Sequence, residues 1–230
     1  MIAIGTIGTI TSGTGDRTPS AGGSYAIGDA LIYSTGQYQG SNVPTLTNGG
    51  SWTLLSANSS AKQVQIYAKI ATSTSETIPT INWGATAAGF AHLTTLTGVD
   101  SSLTNLISAA ERASTTTTNI VGSVSGRTPS QDNAILWLVG ERNKTATSNG
   151  TTYSAPANWT IAAQLTNGGS SSSIVIAYWI QTTATATAAN LAFNGSVGDS
   201  TAQTMQTTMI ALGATAAIII PTRSLLGVGT

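Results

Sequence analysis

The chain contains no cysteine, and it has few charged residues. The missing thiols exclude disulfides, thiolate metal sites and a cysteine nucleophile. Eight basic and eight acidic residues make up 7% of the 230 residues, so the formal net charge is zero. A soluble domain typically carries about 25% charged residues. A surface with so little charge is more typical of a subunit packed in an assembly than of a free monomer.

The scarcity of positive charge also argues against two classes of partner. Binding to nucleic acid needs several Lys or Arg side chains close together to neutralise phosphates, and the eight here are scattered along the chain. The most apolar run, residues 209–220, is shorter than the roughly 20 residues that a membrane span needs. No basic amphipathic helix is predicted. We therefore expect neither a nucleic-acid nor a membrane partner.

Side chains for catalysis are few and lack the spacing that known reactions need. His92 is the only histidine, and no G-x-S-x-G motif accompanies it, so a Ser-His-Asp triad is not predicted. No paired-acid motif, calcium-loop string or phosphate-binding glycine loop occurs. Asp29 and Asp132 stand at equivalent places before strands and are expected to accept hydrogen bonds from nearby backbone N–H groups. The sequence thus predicts no catalytic residue, no metal and no cofactor, and a protein that is not an enzyme.

The chain does contain an internal repeat. Five short segments of its first half recur in the same order, and at nearly constant separation, in its second half. The matching segments are residues 17–20 and 127–130 (RTPS in both), 28–33 and 132–137, 52–53 and 159–160 (WT in both), 64–70 and 174–180, and 81–83 and 191–193. A repeat of this kind predicts two similar structural units in one fold.

Short apolar runs separated by Gly, Pro and Asn turns predict an all-β protein. We expect a jelly-roll-like β-sandwich of about ten strands, built from two similar halves and with almost no helix; residues 101–113 are the one helix candidate. In residues 64–70 the apolar side chains alternate with Gln65, Tyr67 and Lys69, which indicates a half-buried strand. The predicted divisions are an N-terminal arm (1–24), a single sandwich domain (25–213, with halves of about 25–113 and 127–213) and a C-terminal tail (214–230).

The aromatic residues divide into two predicted groups. The five tryptophans lie mostly inside strands at repeated positions, which favours core packing over a sugar-stacking platform; they are Trp52, Trp83, Trp137, Trp159 and Trp179. Three tyrosines in or near loops are the better candidates for exposed contacts: Tyr25, Tyr38 and Tyr153.

Four segments of the first half resemble a pattern in small β-sandwich proteins encoded by tailed bacteriophages. They are residues 28–31 (GDAL), 52–55 (WTLL), 67–71 (YAKIA) and 96–100 (LTGVD). The resemblance covers about residues 25–100 and extends weakly into the second half through Trp159 and Thr160. It implies a virion structural role, in head decoration (cement) or in a tail, baseplate or fibre, and it carries over no catalytic residue.

Together these features predict a non-enzymatic bacteriophage virion protein, a head decoration or compact tail subunit. Its expected partners are other virion proteins, the major capsid or tail proteins, and further copies of itself. Its expected location is the virion, after assembly in the host cytoplasm. One alternative is a carbohydrate- or host-receptor-binding adhesion module, which predicts exposed Trp or Tyr in a groove. Another is an enzyme such as a depolymerase, which predicts two carboxylates about 5–10 Å apart across a cleft.

Overall fold

The computed structural model describes residues 1–20, 22–39, 43–57, 64–84, 88–107, 116–117, 120–143, 152–166, 172–187, 190–195 and 203–216. Within these residues the chain forms β-strands and no helix, and so no helix there could cross a membrane. The strands are β1 (Ala3–Ile7), β2 (Thr11–Thr14), β3 (Ala30–Gln39), β4 (Thr45–Thr47), β5 (Thr53–Ala57), β6 (Val64–Ile70), β7 (Thr80–Asn82), β8 (Ala88–Thr97), β9 (Thr116–Thr117), β10 (Ile120–Ser125), β11 (Ala134–Asn143), β12 (Tyr153–Ser154), β13 (Thr160–Thr166), β14 (Ser172–Gln181), β15 (Asn190–Gly195) and β16 (Gln203–Gly213).

Each half of the chain builds a main antiparallel sheet and a smaller sheet. The first main sheet has the order β1-β8-β3-β6-β5, with β2 also paired to β8, and the smaller sheet is β4-β7. The second main sheet has the order β13-β14-β11-β16-β9, and its smaller companion is β10-β15-β12. The prediction of an all-β sandwich made of two similar halves is therefore confirmed.

The duplication extends to strand order and register. The path β8-β3-β6-β5 in the first half corresponds to β16-β11-β14-β13 in the second. The pairing of β5 with β6 slips between Leu54 and Ser56, and the pairing of β13 with β14 slips at the matching place, between Ile161 and Ala163. A β-bulge of this kind is a specific structural feature. Its recurrence shows that the two halves share local geometry as well as topology.

The two main sheets pack face to face over one apolar core. Alternating residues of the strands point into it, as the period of two in β6 predicts. The core's buried members come from both halves: Ile2, Ala30, Ile32, Val64, Ile66, Ala68, Phe90, Leu96, Val99, Leu103, Ile135, Trp137, Val139, Ile174, Ile176, Ile210 and Leu212. Two further clusters lie on the outer faces, one around Tyr33 and Trp83 and one around Leu136 and Trp159.

The central strands β3 and β11 run in the same direction on the two sides of this core. The indole Nε1–H of Trp137 donates to Ser34 Oγ at 3.0 Å, a hydrogen bond that links the two halves inside the core. Two residues further along β3, on the same face, a Cβ added at Gly36 would clash with the ring of Phe90 and lie 3.0 Å from Glu141 Oε2. A larger residue at Gly36 would therefore have to displace the Phe90 ring or the Glu141 side chain.

Two sequence predictions about the ends of the halves are wrong. Residues 1–24 are not a separate arm, because β1 and β2 pair with β8 in the first main sheet. Residues 101–107, the described part of the helix candidate, form a turn in which Leu103 has a φ of 51° and Asn105 bridges to Leu212. Residues 108–113 lie outside the described residues. Of the predicted tail, Ala214 bridges to Val99, and residues 217–230 also lie outside the described part.

Candidate functional site

Three places bring polar or aromatic side chains together in the described residues. One is a buried polar patch around His92 between the main sheets. The second is a pocket at one end of the sandwich that contains two carboxylates. The third is a groove beside the edge strand β5, lined by Trp52 and Tyr67.

His92 is fully buried and belongs to the scaffold. It lies opposite Ser34 in the pairing of β8 with β3. Its Nε2 lies 3.1 Å from the Gly8 carbonyl oxygen. Since a carbonyl can only accept, the neutral ring must donate its proton from Nε2. Burial lowers the pKa of His92 to about 4, although the Gly8 carbonyl acts in the opposite direction. A buried, neutral imidazole without solvent access is suited to holding the N-terminal segment against β8 and unsuited to proton transfer with a substrate.

The end pocket encloses about 420 Å³ where the two halves meet. It is lined by Met1, Asp100, Gln131, Asp132, Asn133, Ala214, Thr215 and Ala216. Hydrogen bonds join the halves at its floor: Thr215 N–H donates to the Gly98 carbonyl at 2.9 Å, and Asp100 N–H donates to the Gly213 carbonyl at 2.9 Å. The backbone N–H and the side chain of Ser102 donate to Asp100 and lower the pKa of its carboxyl.

Asp29 and Asp132 both accept a backbone hydrogen bond, as the sequence predicted. Asp29 Oδ2 accepts from Ala26 N–H and Asp132 Oδ1 accepts from Ala184 N–H, each at 2.8 Å. Because β3 and β11 run in the same direction, the two residues lie at the same end of the sandwich. Asp29 is nevertheless absent from the pocket that Asp132 lines.

The expected equivalence of Asp29 and Asp132 is off by two positions, and the alignment of residues 28–33 with residues 132–137 is off by one. Gly28 and Asn133 are the true counterparts, since both have a left-handed backbone, with φ of 95° and 52°. Each also donates its N–H to the carbonyl just beyond the neighbouring strand, that of Ala71 or Thr182. The register agrees. The matching cross-strand rows are Ala30, Ile70 and Leu96 in the first half and Ile135, Ile180 and Leu212 in the second.

The groove beside β5 encloses about 540 Å³ on the outer side of the first half. Its lining is Val43, Pro44, Thr45, Leu46, Gly50, Ser51, Trp52, Leu54, Gln65 and Tyr67. Two of these are unusually exposed for large apolar residues, Val43 at 59% and Leu54 at 48%. The rings of Trp52 and Tyr67 are half-buried, so each has one side packed on the outer cluster around Tyr33 and part of its surface open.

Hydrogen bonds hold the groove's two aromatic residues in place. The Trp52 indole N–H donates to the Gly49 carbonyl at 3.0 Å, and its ring meets that of Tyr33 edge-on at 5.8 Å between centroids. The Tyr67 hydroxyl donates to Gln65 Oε1 at 3.0 Å. Burial raises the pKa of the Tyr67 hydroxyl, so the ring is neutral at ordinary pH.

An ion pair fixes the loop next to the groove. Lys69 Nζ lies 2.6 Å from Glu76 Oε2, and Glu76 Oε1 accepts from the backbone and hydroxyl of Thr72 at 2.5 and 2.9 Å. Lys69, and then the bonds from Thr72, lower the pKa of the Glu76 carboxyl to about 2. The Glu76 N–H in turn donates to the Tyr25 hydroxyl at 2.6 Å. The charge of Lys69 is thus neutralised beside the groove.

Comparison with known proteins finds no match: no family model, no curated protein and no solved structure is similar to the chain at a significant level. The candidate sites therefore rest on their own geometry.

The structure divides the aromatic residues differently from the sequence prediction. Trp83, Trp137 and Trp159 are buried, whereas Trp52 and Trp179 pack only partly against the outer clusters. Two of the three tyrosines expected to be exposed are not. Tyr153 is only 3% exposed, and Tyr25 packs on the cluster around Tyr33, with its hydroxyl bonded to the backbone of Glu76. Tyr38 lies in β3, and its side chain is outside the described part.

The sequence did contain a signal for the groove. The alternation along β6 places Gln65 and Tyr67 on the face opposite the core, and Trp52 is the residue before the neighbouring strand β5. What could not be read from sequence is the pairing of Leu54 with Tyr67, which brings these side chains together. In the described residues no group of three or more His, Asp or Glu side chains is placed to hold a metal ion.

Proposed function

We propose that the chain is a non-enzymatic structural subunit of a tailed-bacteriophage virion, a head decoration (cement) protein or a compact tail subunit. In this role it binds neighbouring virion proteins and further copies of itself. The observation that carries the proposal is the low content of charged residues, 7% with zero net charge, on a β-sandwich. A protein of zero net charge has little electrostatic repulsion to prevent association. That property suits a subunit that packs against other subunits in an assembly.

The described surface supports this proposal. Its charged side chains include one ion pair, that of Lys69 with Glu76, in the part of the chain that the structure describes. The end of the sandwich that holds the pocket also carries exposed apolar side chains, Met1 at 95% and Ile27 at 68%. Loops from both halves meet there. An uncharged surface with apolar side chains is the kind that subunit contacts use.

The sheet edges favour side-chain contacts over strand addition. In the described residues β5 and β13 are outer strands of the two main sheets, and both carry the bulge described above. A bulge in an edge strand twists the edge away from a flat pairing partner. We therefore assign contacts with neighbouring subunits to the loops and exposed apolar side chains at the ends of the sandwich.

The test is the mass of the purified chain by light scattering, followed by electron cryomicroscopy of the particles with which it copurifies. We expect self-association in solution and many symmetric copies on a capsid or a tail. Ile27→Lys should reduce this association and leave the melting temperature within about 2 °C, because Ile27 is exposed. A matched charge at the opposite end of the sandwich, Thr14→Lys, should leave association unchanged, because the exposed Thr14 pairs with Ala88 at the start of β8. A stable monomer that is absent from every particle would contradict the proposal.

A further inference from the structure

We propose that the groove formed by Trp52, Leu54 and Tyr67 beside β5 is a binding site for neutral saccharides, in which sugar rings stack on the two aromatic side chains. This activity is separate from subunit assembly and does not depend on it. The site would let an assembled particle or a free subunit hold a glycan through the outer face of the first half.

The lining of the groove selects for a ligand without charge. None of its ten residues is Asp, Glu, Lys, Arg or His, and the nearby Lys69 is paired with Glu76 at 2.6 Å. A phosphate, a sulfated sugar or an acidic peptide would lose hydration there without gaining a counter-charge. A neutral ligand that combines an apolar face with hydroxyl groups meets no such cost.

The groove offers both surfaces that a sugar ring uses. The half-buried rings of Trp52 and Tyr67, with the exposed Leu54 directly across from Tyr67, provide an apolar surface for the C–H face of a pyranose. The exposed Thr45 and Ser51 place hydroxyl groups around this surface, and the buried Gln65 holds the Tyr67 hydroxyl from below. The Trp52 N–H is already bonded to Gly49, so the residue contributes its ring rather than a donor. A volume of about 540 Å³ lies within the roughly 300–1,000 Å³ of small-ligand sites.

The second half serves as an internal comparison. At the same bulge and in the same register, Ile161 pairs with Ala177 where the first half pairs Leu54 with Tyr67. Ala177 is fully buried there, and Trp159, the counterpart of Trp52, is only 7% exposed. The neighbouring position is Val175 instead of Gln65. An edge with alanine and valine at these two positions of the neighbouring strand is therefore compatible with the fold, and Tyr67 and Gln65 are not needed to keep the sandwich together.

Three residues thus distinguish the groove from its counterpart: Leu54, Gln65 and Tyr67. The second half has Ile161, Val175 and Ala177 at these places, so the stability of the fold does not require them. The same comparison argues against a strand from a second copy as the occupant, since the bulge that interrupts the β5 edge is present in both halves. Side chains, rather than backbone pairing, define what binds here. Fixed aromatic rings lose little conformational entropy on binding, which favours recognition of a weakly interacting ligand.

The experiment is titration of the full ¹⁵N-labelled chain with neutral hexasaccharides, namely an α-glucan, a β-glucan, a chitooligosaccharide, a mannan and a galactan, each to about 10 mM, where millimolar binding is visible. We expect saturable shifts of the Trp52 indole signal with at least one probe. Tyr67→Ala, which reproduces the alanine of the second half, should weaken binding at least about tenfold. Leu54→Ser, at an exposed position, should weaken it without unfolding the chain.

The comparison variant is Ile161→Ser, which replaces the aliphatic side chain at the equivalent place of the second half, where it packs partly on the cluster around Leu136 and Trp159; its melting temperature is measured alongside. This variant should leave saccharide binding unchanged. The proposal is overturned if no probe shifts the groove signals, or if Ile161→Ser weakens binding as much as Leu54→Ser. It is also overturned if the groove signals move with protein concentration alone, because the occupant is then a second copy. A failure to bind any saccharide would leave the assembly proposal unaffected, because that proposal is tested by self-association and by the particles with which the chain copurifies.

Discussion

At the scale of single residues, burial determines the protonation state of His92. An imidazole in water has a pKa of about 6.5, and the closed environment between β8 and Gly8 lowers the pKa of His92 to about 4. The folded chain therefore binds fewer protons than the unfolded chain between these two values. Unfolding is favoured as the pH falls through this range, because the unfolded state gains the proton.

We expect the free energy of unfolding to fall by about 2–3 kcal/mol between pH 7 and pH 4.5 on account of His92 alone. His92→Gln keeps a donor for the Gly8 carbonyl and removes the titration. The variant should therefore lose less stability than the wild type over the same pH range, even if it is less stable at pH 7. Urea unfolding at the two pH values measures both slopes. Equal slopes in the two proteins would show that His92 titrates normally.

Glu76 titrates in a different range, so its effect can be separated from that of His92. Its pKa is lowered to about 2, chiefly by Lys69. The stability that the carboxylate supplies is present above its ordinary pKa of 4.5 and is lost only as the pH falls further towards 2. A fall in the free energy of unfolding between pH 7 and pH 4.5 therefore reports on His92 rather than on the loop that contains Glu76.

At the scale of elements, the turn before each central strand depends on a left-handed residue. Gly28 has a φ of 95° and no atom within 4 Å of the place where a Cβ would stand, so substitution there meets backbone strain without a clash. We expect Gly28→Ala to lower the free energy of unfolding by about 1–2 kcal/mol and Gly28→Asn by less than about 1 kcal/mol, since Asn tolerates this conformation. Asn133 already occupies the equivalent turn.

The reciprocal change provides the control for this prediction. Asn133→Gly should alter stability by less than about 0.5 kcal/mol, because glycine accepts the same backbone angles and loses mainly unfolded-state entropy. Denaturant unfolding of the three variants gives the comparison. If Gly28→Ala proved as stable as the wild type, the two turns would not share the geometry on which the one-residue correction of the repeat depends.

The same turns explain how much of the fold the sequence could predict. The all-β class, the two halves and the two faces of β6 follow from turn residues and a period of two, which are local signals. The match between residues 28–33 and 132–137 aligns Ala30 with Ala134, yet Ala30 and Ile135 are the residues that point into the core. A shift of one residue exchanges the faces of a strand, and only the cross-strand register shows it.

Three other features of the fold could not be predicted from the sequence for a related reason: the N-terminal strands, the turn at residues 101–107 and the groove. Strands β1 and β2 are short and each contains a glycine, which is disfavoured in strands, so the sequence contains no continuous strand signal there; pairing with β8 holds them in place. The apolar spacing of Leu103, Leu106 and Ile107 is compatible with a helix, but these residues sit in turns that bond to β16. The groove likewise exists only because β5 lies beside β6. Tertiary contacts decided each of these cases.

At the scale of the whole molecule, the largest core cluster belongs to neither half alone. Ile32 and Ile66 from the first half pack with Ile176 and Ile210 from the second, and the Trp137–Ser34 hydrogen bond crosses the same space. Separating the two main sheets would expose apolar faces on both. The halves resemble each other in strand order, but burial of the inner faces makes them one folding unit.

We therefore expect a core truncation in one half to weaken the other by the same amount. Ile210→Ala should cost about 2–5 kcal/mol through lost burial and the cavity it leaves. Amide exchange in β3 and β6, on the opposite sheet, should speed up by the corresponding factor, because these amides exchange only when the sheets separate. The exposed Thr160→Ser on β13 should change neither half. If protection in β3 and β6 survived Ile210→Ala while β11 and β14 lost it, each half would be stable on its own, and the repeat would join two independent units rather than the two sides of a single core.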